Sequence, residues 1–253
     1  MTRIGFIGAG NMARALILAI KKDYPEIIAS DKDPARVESL DVNGTTNNQK
    51  VVDRSDVVFL CVKPQIVDEV LNDLKIGGQI IVSIAAGVTI SRIQDIIGNK
   101  KIIRVMPNTP CLVSEMTGAY SVNPNVTEDD KKIVFEILSK AGVIYEVSEE
   151  LLDPVTGLSG SGPAFVAKLI EAFSDAGVNN GLSKEISYGL TLKTFIGTAR
   201  LLKQMTPEEL VNMVSSPNDT TVAGREVLEN SDVFKIINDT ISRATERSKE
   251  LGK

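Results

Sequence analysis

Ile4-Gly5-Phe6-Ile7-Gly8-Ala9-Gly10-Asn11-Met12-Ala13 is the stretch on which the fold turns. An apolar run feeds straight into Gly-x-Gly-x-x-Ala, and a helical pattern continues through Ile20. Each small residue answers a steric demand. Gly8 permits a tight strand-to-helix turn, Gly10 lets a pyrophosphate approach the backbone, and Ala13 lets helix and strand pack closely. The free N–H groups and positive dipole end of the helix then face phosphate. A second apolar run, Ile27-Ile28-Ala29, leads to Asp31, 23 residues after Gly8. That is the spacing expected of a residue at the adenosine ribose of a bound dinucleotide.

Composition narrows the class. The chain has 253 residues, 43% apolar and 24% charged, which fits a folded chain of one large domain or two of ordinary size. A net charge of −5 argues against sequence-independent nucleic-acid binding, which needs a basic face. The longest apolar runs fall short of a membrane span, and the N-terminal run reads as a strand rather than a signal peptide. Cys61 and Cys111 are far apart with no pairing or metal-ligand pattern, so a cytoplasmic chain with free thiols and no metal is expected. There is no histidine. Histidine triads, histidine general bases and histidine metal ligands are excluded, so the chemistry needs little proton management from side chains or borrows it from water, carboxylate, hydroxyl or lysine.

The two halves have different periods. Apolar runs at 4–7, 27–30, 57–62, 80–84, 102–106, 119–122 and 143–147 alternate with helical segments. Asp33-Pro34 and Thr127-Glu128-Asp129-Asp130 are helix openings. Apolar strands without alternation imply a parallel sheet covered on both faces. After Leu152 the strand signals stop. Helices are expected over 161–176, from the Ser183 cap to about 204, after Thr206-Pro207-Glu208-Glu209, after Ser216-Pro217, and from Ser231-Asp232 to Glu250. The fold class is therefore α/β: a Rossmann-type dinucleotide-binding domain, 1–152, followed by an all-α domain, 153–253. Apolar stripes such as Phe165, Leu169, Ala172, Phe173 and Leu190, Leu192, Phe195, Ile196 fit either an internal core or a subunit interface. Glu149 and Glu150 read as a solvated acidic pair, with a place at the border of the active site across a subunit boundary as the alternative.

Further loops end the strands of the first half, where open α/β sheets bind ligands. They are Cys61-Val62-Lys63-Pro64, Ser83-Ile84-Ala85-Ala86-Gly87 and Met106-Pro107-Asn108-Thr109-Pro110. Two prolines bracket Asn108 and fix its backbone. The helical half offers two polar helix entrances, Thr156–Phe165 and Ser215–Gly224. The second presents hydroxyls and N–H donors without a cationic side chain, which suits a small carboxylate.

Taken together, GFIGAGNMA, CVKP, SIAAGVT, IRVMPNTP, TGLSGSGPAF and the SSP…TT…G turn resemble the pyrroline-5-carboxylate reductase family nearly end to end. The resemblance implies reduction of 1-pyrroline-5-carboxylate to L-proline with NADPH or NADH, the last step of proline biosynthesis. It also implies a homodimer formed through the C-terminal helices, often assembled as a pentamer of dimers. Matched by motif, Ile7, Gly8, Ala9, Gly10, Asn11, Met12, Asn48, Cys61, Val62, Lys63, Pro64, Ala85 and Ala86 would hold the cofactor. Asp31 and Asn108 join them from their strand-end positions. Ser216, Thr220 and Thr221 would hold the substrate carboxylate and ring nitrogen, with Thr221 the catalytic hydroxyl. A protonated cyclic imine is already electrophilic, which agrees with the missing histidine: positioning supplies much of the barrier reduction.

Two departures from the family pattern bear on this. Asn218-Asp219 stands where the family has Gly-Gly, adding a negative charge beside the expected carboxylate site. Asp31 stands where NADPH users tend to carry a small hydroxyl residue, and favours NADH, with Lys32 and Arg36 as partial offsets. A β-hydroxyacid dehydrogenase or imine reductase would share the layout. Its lysine, four residues after the second glycine of the helix entrance, is replaced here by Val166. A dinucleotide-binding protein without catalysis is the remaining alternative.

Overall fold

The structure is a computed structural model and describes residues 2–216 and 219–252. The first half runs β1 (Ile4–Ile7), α1 (Asn11–Ile20), β2 (Ile27–Ser30), α2 (Pro34–Glu38), β3 (Asn43–Thr45), α3 (Asn48–Asp53), β4 (Val57–Leu60), α4 (Val67–Asn72), β5 (Ile80–Ser83), α5 (Ile90–Ile97), β6 (Lys101–Met106), β7 (Met116–Val122), α6 (Glu128–Ser139) and β8 (Gly142–Glu146). These strands form one sheet in the order β3-β2-β1-β4-β5-β6-β7-β8. All neighbours are parallel except β6 and β7. The apolar runs predict parallel pairing throughout; the exception has a simple cause. Only Pro107–Glu115 joins β6 to β7, and it contains just a short 3₁₀ turn. That is too little chain for a crossover helix, so β7 returns antiparallel.

Every residue of β1, β2, β4 and β5 is buried. Their side chains feed two cores, one on each face. Phe6 stacks on Phe59 in one, at 4.9 Å between ring centroids, while Ile7, Val58 and Leu60 enter the other. The unalternating apolar runs are thus explained by helices on both sides. β3 carries no apolar run, and Asn43 and Gly44 are exposed, so it gave no strand signal.

A continuous helical stretch follows: α7 (Leu152–Val155), a π-helical turn (Thr156–Gly160) and α8 (Gly162–Asn179). Then come α9 (Lys184–Leu201), α10 (Pro207–Met213), α11 (Thr220–Glu229) and α12 (Val233–Leu251). Of the helix openings expected from sequence, those at Thr127, Ser183 and Thr206 are capped by these residues. Ser183 accepts from the Ile186 N–H, and Thr127 and Thr206 close reciprocal capping boxes with Asp130 and Glu209. The chain divides into two compact units. One comprises Met1–Pro163 with Ile241–Lys253, the other Ala164–Thr240. The last turns of α12 therefore pack with the strand-bearing half. Side chains show how. A Cβ added to Gly157 would lie 2.4 Å from Thr245 Oγ1, and Ser248 Oγ donates to Asp153 Oδ1 at 2.6 Å.

In the second unit Phe173 and Phe195 meet edge to face at 5.2 Å, and Ser187 Oγ donates to the Ser174 carbonyl. Large apolar side chains stay exposed in the single chain, among them Phe173, Ile186, Leu190, Met213, Phe234 and Ile236. Among the described residues no helix is long and apolar enough to cross a membrane. Nor, among them, do three or more His, Cys, Asp or Glu side chains gather where a metal ion would be held.

Candidate active site

The sheet order places β1 between β2 and β4, so the strand order reverses direction at β1. Ligands bind outside the carboxyl ends of strands at such a point. Gly8 occupies the turn with φ +96°, and a Cβ there would lie 2.6 Å from the Cys61 carbonyl oxygen. Glycine is required twice over: for the dihedral and for the approach of the neighbouring loop. Gly10 is the reverse case, since nothing lies within 4 Å of its notional Cβ. It precedes α1 in extended conformation, makes no side-chain cap, and the first turn of α1 holds no acid. An uncapped ten-residue helix facing open space fits a dinucleotide pyrophosphate.

A cleft of about 490 Å³ opens at this point. Ile7, Gly8, Gly10, Asp31, Asn48, Cys61, Val62 and Lys63 line it, as do Lys32 and Arg36. Ala9, Asn11, Met12, Pro64, Ala85, Ala86 and Asn108 are not part of its lining. A second cleft, about 560 Å³, lies at the opposite ends of β4 and β5 beside the Arg3–Asp56 ion pair. It holds neither a glycine-rich turn nor the loops that end the strands, so its size carries no functional weight.

Asp31 is bonded through both carboxylate oxygens. The Ala9 N–H donates to Oδ2 at 2.8 Å and the Asp33 N–H to Oδ1 at 3.0 Å. The same carboxylate that lines the cleft therefore fixes the glycine-rich turn against the end of β2. Of the three cations that line the cleft, Lys32 pairs with Glu69 at 3.2 Å and Arg36 with Asp33 at 3.6 Å, and Lys63 is the third. Asn48 opens α3, where its Oδ1 accepts from the buried Ser30 hydroxyl at 2.7 Å. Burial pushes the Cys61 thiol well above its ordinary range and the Cys111 thiol up to about 11, so both stay protonated at neutral pH. Neither is an activated nucleophile.

Ala85 is buried and Ala86 partly so, in the turn between β5 and α5. Asn108 is 4% exposed. Its Nδ2 donates to the Ser159 carbonyl at 3.0 Å and its Oδ1 accepts from the Thr117 N–H at 2.9 Å. The amide is committed to joining loop, strand and helix entrance rather than turned into the cleft. Glu149 also departs from the expected solvated pair. Its Oε1 accepts from the Ile90 N–H at 2.7 Å and from Arg104 Nη1 at 3.1 Å. Arg104 was missed by sequence reasoning, though one arginine inside Ile102-Ile103-Arg104-Val105-Met106 was a signal: a charge in a doubly buried strand must find partners.

In the second unit Ser216, Thr220 and Thr221 are exposed at the entrance to α11. Pro217 and Asn218 lie outside the described residues. The cap is neither Ser216 nor Thr220. Asp219 Oδ1 accepts from the Val222 N–H at 2.8 Å and Oδ2 from the Ser216 N–H at 2.5 Å. Those backbone donors hold its carboxyl below the usual range, Ser216 first and Val222 next. The turn expected to receive a substrate carboxylate thus already holds one of its own.

Comparison with known proteins decides the assignment. The family description "Pyrroline-5-carboxylate reductase dimerisation" matches residues 149–251, and "NADP oxidoreductase coenzyme F420-dependent" matches residues 3–87. A pyrroline-5-carboxylate reductase from Synechocystis is 41% identical over 99% of this chain and 98% of its own length. One from Methanosarcina acetivorans is 39% identical, again over 99% and 98%. The chain belongs to the pyrroline-5-carboxylate reductase family. The crystal structure of the Plasmodium falciparum pyrroline carboxylate reductase with NADP bound superposes with a TM-score of 0.90 at 33% identity, covering 100% of this chain and 98% of that one. The Rossmann-plus-helical architecture read from the sequence is that of the family.

Proposed function

We propose that this protein reduces 1-pyrroline-5-carboxylate to L-proline with NADH or NADPH, the last step of proline biosynthesis. The observation that carries the reading is the end-to-end relationship to reductases of that name, 41% identical over 99% of the chain. When bound, the nicotinamide dinucleotide supplies the hydride. The N-terminal part, 1–152, holds it: the open backbone at Gly10 and the uncapped start of α1 receive the pyrophosphate, and Asp31 and Asn48 lie toward the adenosine end. Cys61, Val62, Lys63 and Pro64 follow along the next strand end, and Ala85 and Ala86 carry small side chains past which a flat ring can lie. The helical part, 153–253, supplies the substrate contacts. Ser216 and Thr220 hold the carboxylate, and the Thr221 hydroxyl meets the ring nitrogen as the C=N pair moves onto it, with water supplying any proton.

The apolar side chains exposed on the second unit, together with its match to a dimerisation description, support a homodimer through the C-terminal helices; the further assembly into a pentamer of dimers is what the family resemblance implies. We place the enzyme in the cytoplasm, in keeping with two free thiols. Sedimentation of the purified protein tests the assembly: a monomer would refute it.

Purified protein mixed with NADH or NADPH and pyrroline-5-carboxylate should consume the reduced cofactor, followed at its absorbance band. Cofactor binding without turnover would overturn the reading in favour of a non-catalytic dinucleotide binder. Thr221→Ala should lower kcat/KM several-fold with the dissociation constant for NADH unchanged. An unaltered kcat/KM would remove Thr221 from the mechanism. Asp219 gives a further expectation. Asp219→Asn keeps a good helix cap without the charge. It should raise kcat/KM for pyrroline-5-carboxylate several-fold, and added salt should raise the wild-type value in the same direction by screening the repulsion. A fall in kcat/KM would mean that the Asp219 charge assists the substrate instead.

A further inference from the structure

Arg104 lies on β6 and is 5% exposed. A guanidinium in such a place is tolerated only with partners that offset its desolvation. Glu149 Oε1 is 3.1 Å from Nη1, and Asp153 Oδ1 is 3.9 Å from Nη2. The same Glu149 oxygen takes the Ile90 N–H at 2.7 Å. Ile90 is the first residue of α5, so Glu149 sits on that helix's N-terminus, where negative charge is favoured.

The consequence concerns the turn 84–89. One end leaves the sheet at Ser83, the other enters α5 at Ile90. Gly87 closes the middle with φ +76°, and a Cβ there would lie 2.8 Å from the Gly252 nitrogen, so the turn has no slack on that side. Its α5 end is fixed by Glu149, and Glu149 is fixed by Arg104. We propose that Arg104 and Glu149 are positioning residues for the cofactor turn that carries Ala85 and Ala86. Arg104 orients the Glu149 carboxylate, and the carboxylate holds the Ile90 N–H and with it the shape of the turn. This rests on the reading above that Ala85 and Ala86 contact the dinucleotide.

Glu149→Ala removes the acceptor and leaves Arg104 with Asp153 alone. It should weaken NADH binding, measured by fluorescence titration of the purified protein, by about tenfold, the order expected for the loss of one well-made hydrogen bond. Amide hydrogen exchange across 84–90 should quicken in the cofactor-free protein. Glu149→Gln retains an oxygen for the Ile90 N–H and should recover most of both effects. Glu150→Ala, one residue on, should alter neither. Arg104→Met repeats the binding loss if the variant folds; the Glu149 pair decides the matter if it does not. A folded Glu149→Ala protein with wild-type NADH affinity and wild-type exchange at 84–90 overturns the proposal alone. A wild-type protein that binds neither NADH nor NADPH overturns the cofactor reading and this proposal with it.

Discussion

Asp31→Ser should shift the ratio of kcat/KM for NADPH over NADH by about 100-fold toward NADPH, from a wild-type protein that uses NADH at least as well as NADPH. Asp31 follows β2 directly and lines the cleft that Gly8 and Gly10 open. A carboxylate there accepts the ribose hydroxyls of NADH but repels the 2′-phosphate of NADPH. The expected counterweights, Lys32 and Arg36, are already paired with Glu69 and Asp33. Both pairs are exposed, and such pairs hold their partners weakly, so the cations can be recruited once the aspartate is gone. That is why the switch should be large rather than merely a loss of NADH use. Asp31 also accepts the Ala9 N–H, so serine removes a brace from the glycine-rich turn. Binding of both cofactors should therefore weaken somewhat while their order reverses. Initial rates with each cofactor over a range of concentrations provide the check. A wild-type enzyme strongly favouring NADPH would sink the assignment of Asp31, and an unchanged ratio in the variant would show that the discrimination lies elsewhere.

What the chain disclosed before folding was mostly local. The caps at Ser183, Thr127 and Thr206 follow from residue type and short spacing, because their partners lie within a few positions, and the β1–α1 turn and the doubly buried strands announce themselves by glycine spacing and unalternating apolar runs. What stayed hidden depends on contacts distant in sequence. The antiparallel return of β7 follows from how little chain separates it from β6. The packing of the end of α12 with the first unit depends on Gly157 meeting Thr245 and Asp153 meeting Ser248, pairs that no periodicity marks. Asp219 is the intermediate case. Aspartate three residues before Val222 is a strong capping pattern, yet the family motif drew attention to Ser216 and Thr220 instead. A resemblance carried the family's chemistry onto matching positions, and at Asp219, where the chain departs from the family, the residue's own hydrogen-bonding preference decided the local structure.

Asn108→Ala should cost about 2–4 kcal/mol of stability, read from thermal or urea unfolding with ligands absent. The reason lies in the helix entrance. In an α-helix the Ser159 carbonyl would accept from residue 163, but residue 163 is proline and has no N–H to give. The chain here takes a π-helical turn, with the Ser161 N–H donating to the Thr156 carbonyl at 2.8 Å. Asn108 Nδ2 provides the donor that Pro163 lacks, and its Oδ1 takes the Thr117 N–H at the start of β7. Removing the amide leaves a carbonyl and an N–H without partners in a site too tight for easy hydration, since Asn108 is 4% exposed. Asn108→Asp separates the two bonds. It still accepts from Thr117 but turns a carboxylate toward the Ser159 carbonyl, which favours the protonated acid and raises its pKa in the folded state. A raised folded-state pKa gives stability at low pH that is lost as pH climbs through it. The deficit of Asn108→Asp relative to wild type should therefore shrink as pH falls toward about 4 and widen toward neutrality. Equal midpoints for Asn108→Ala and wild type would show that water replaces the amide at no cost, and a pH-independent deficit in Asn108→Asp would show that Ser159 never needed the donor.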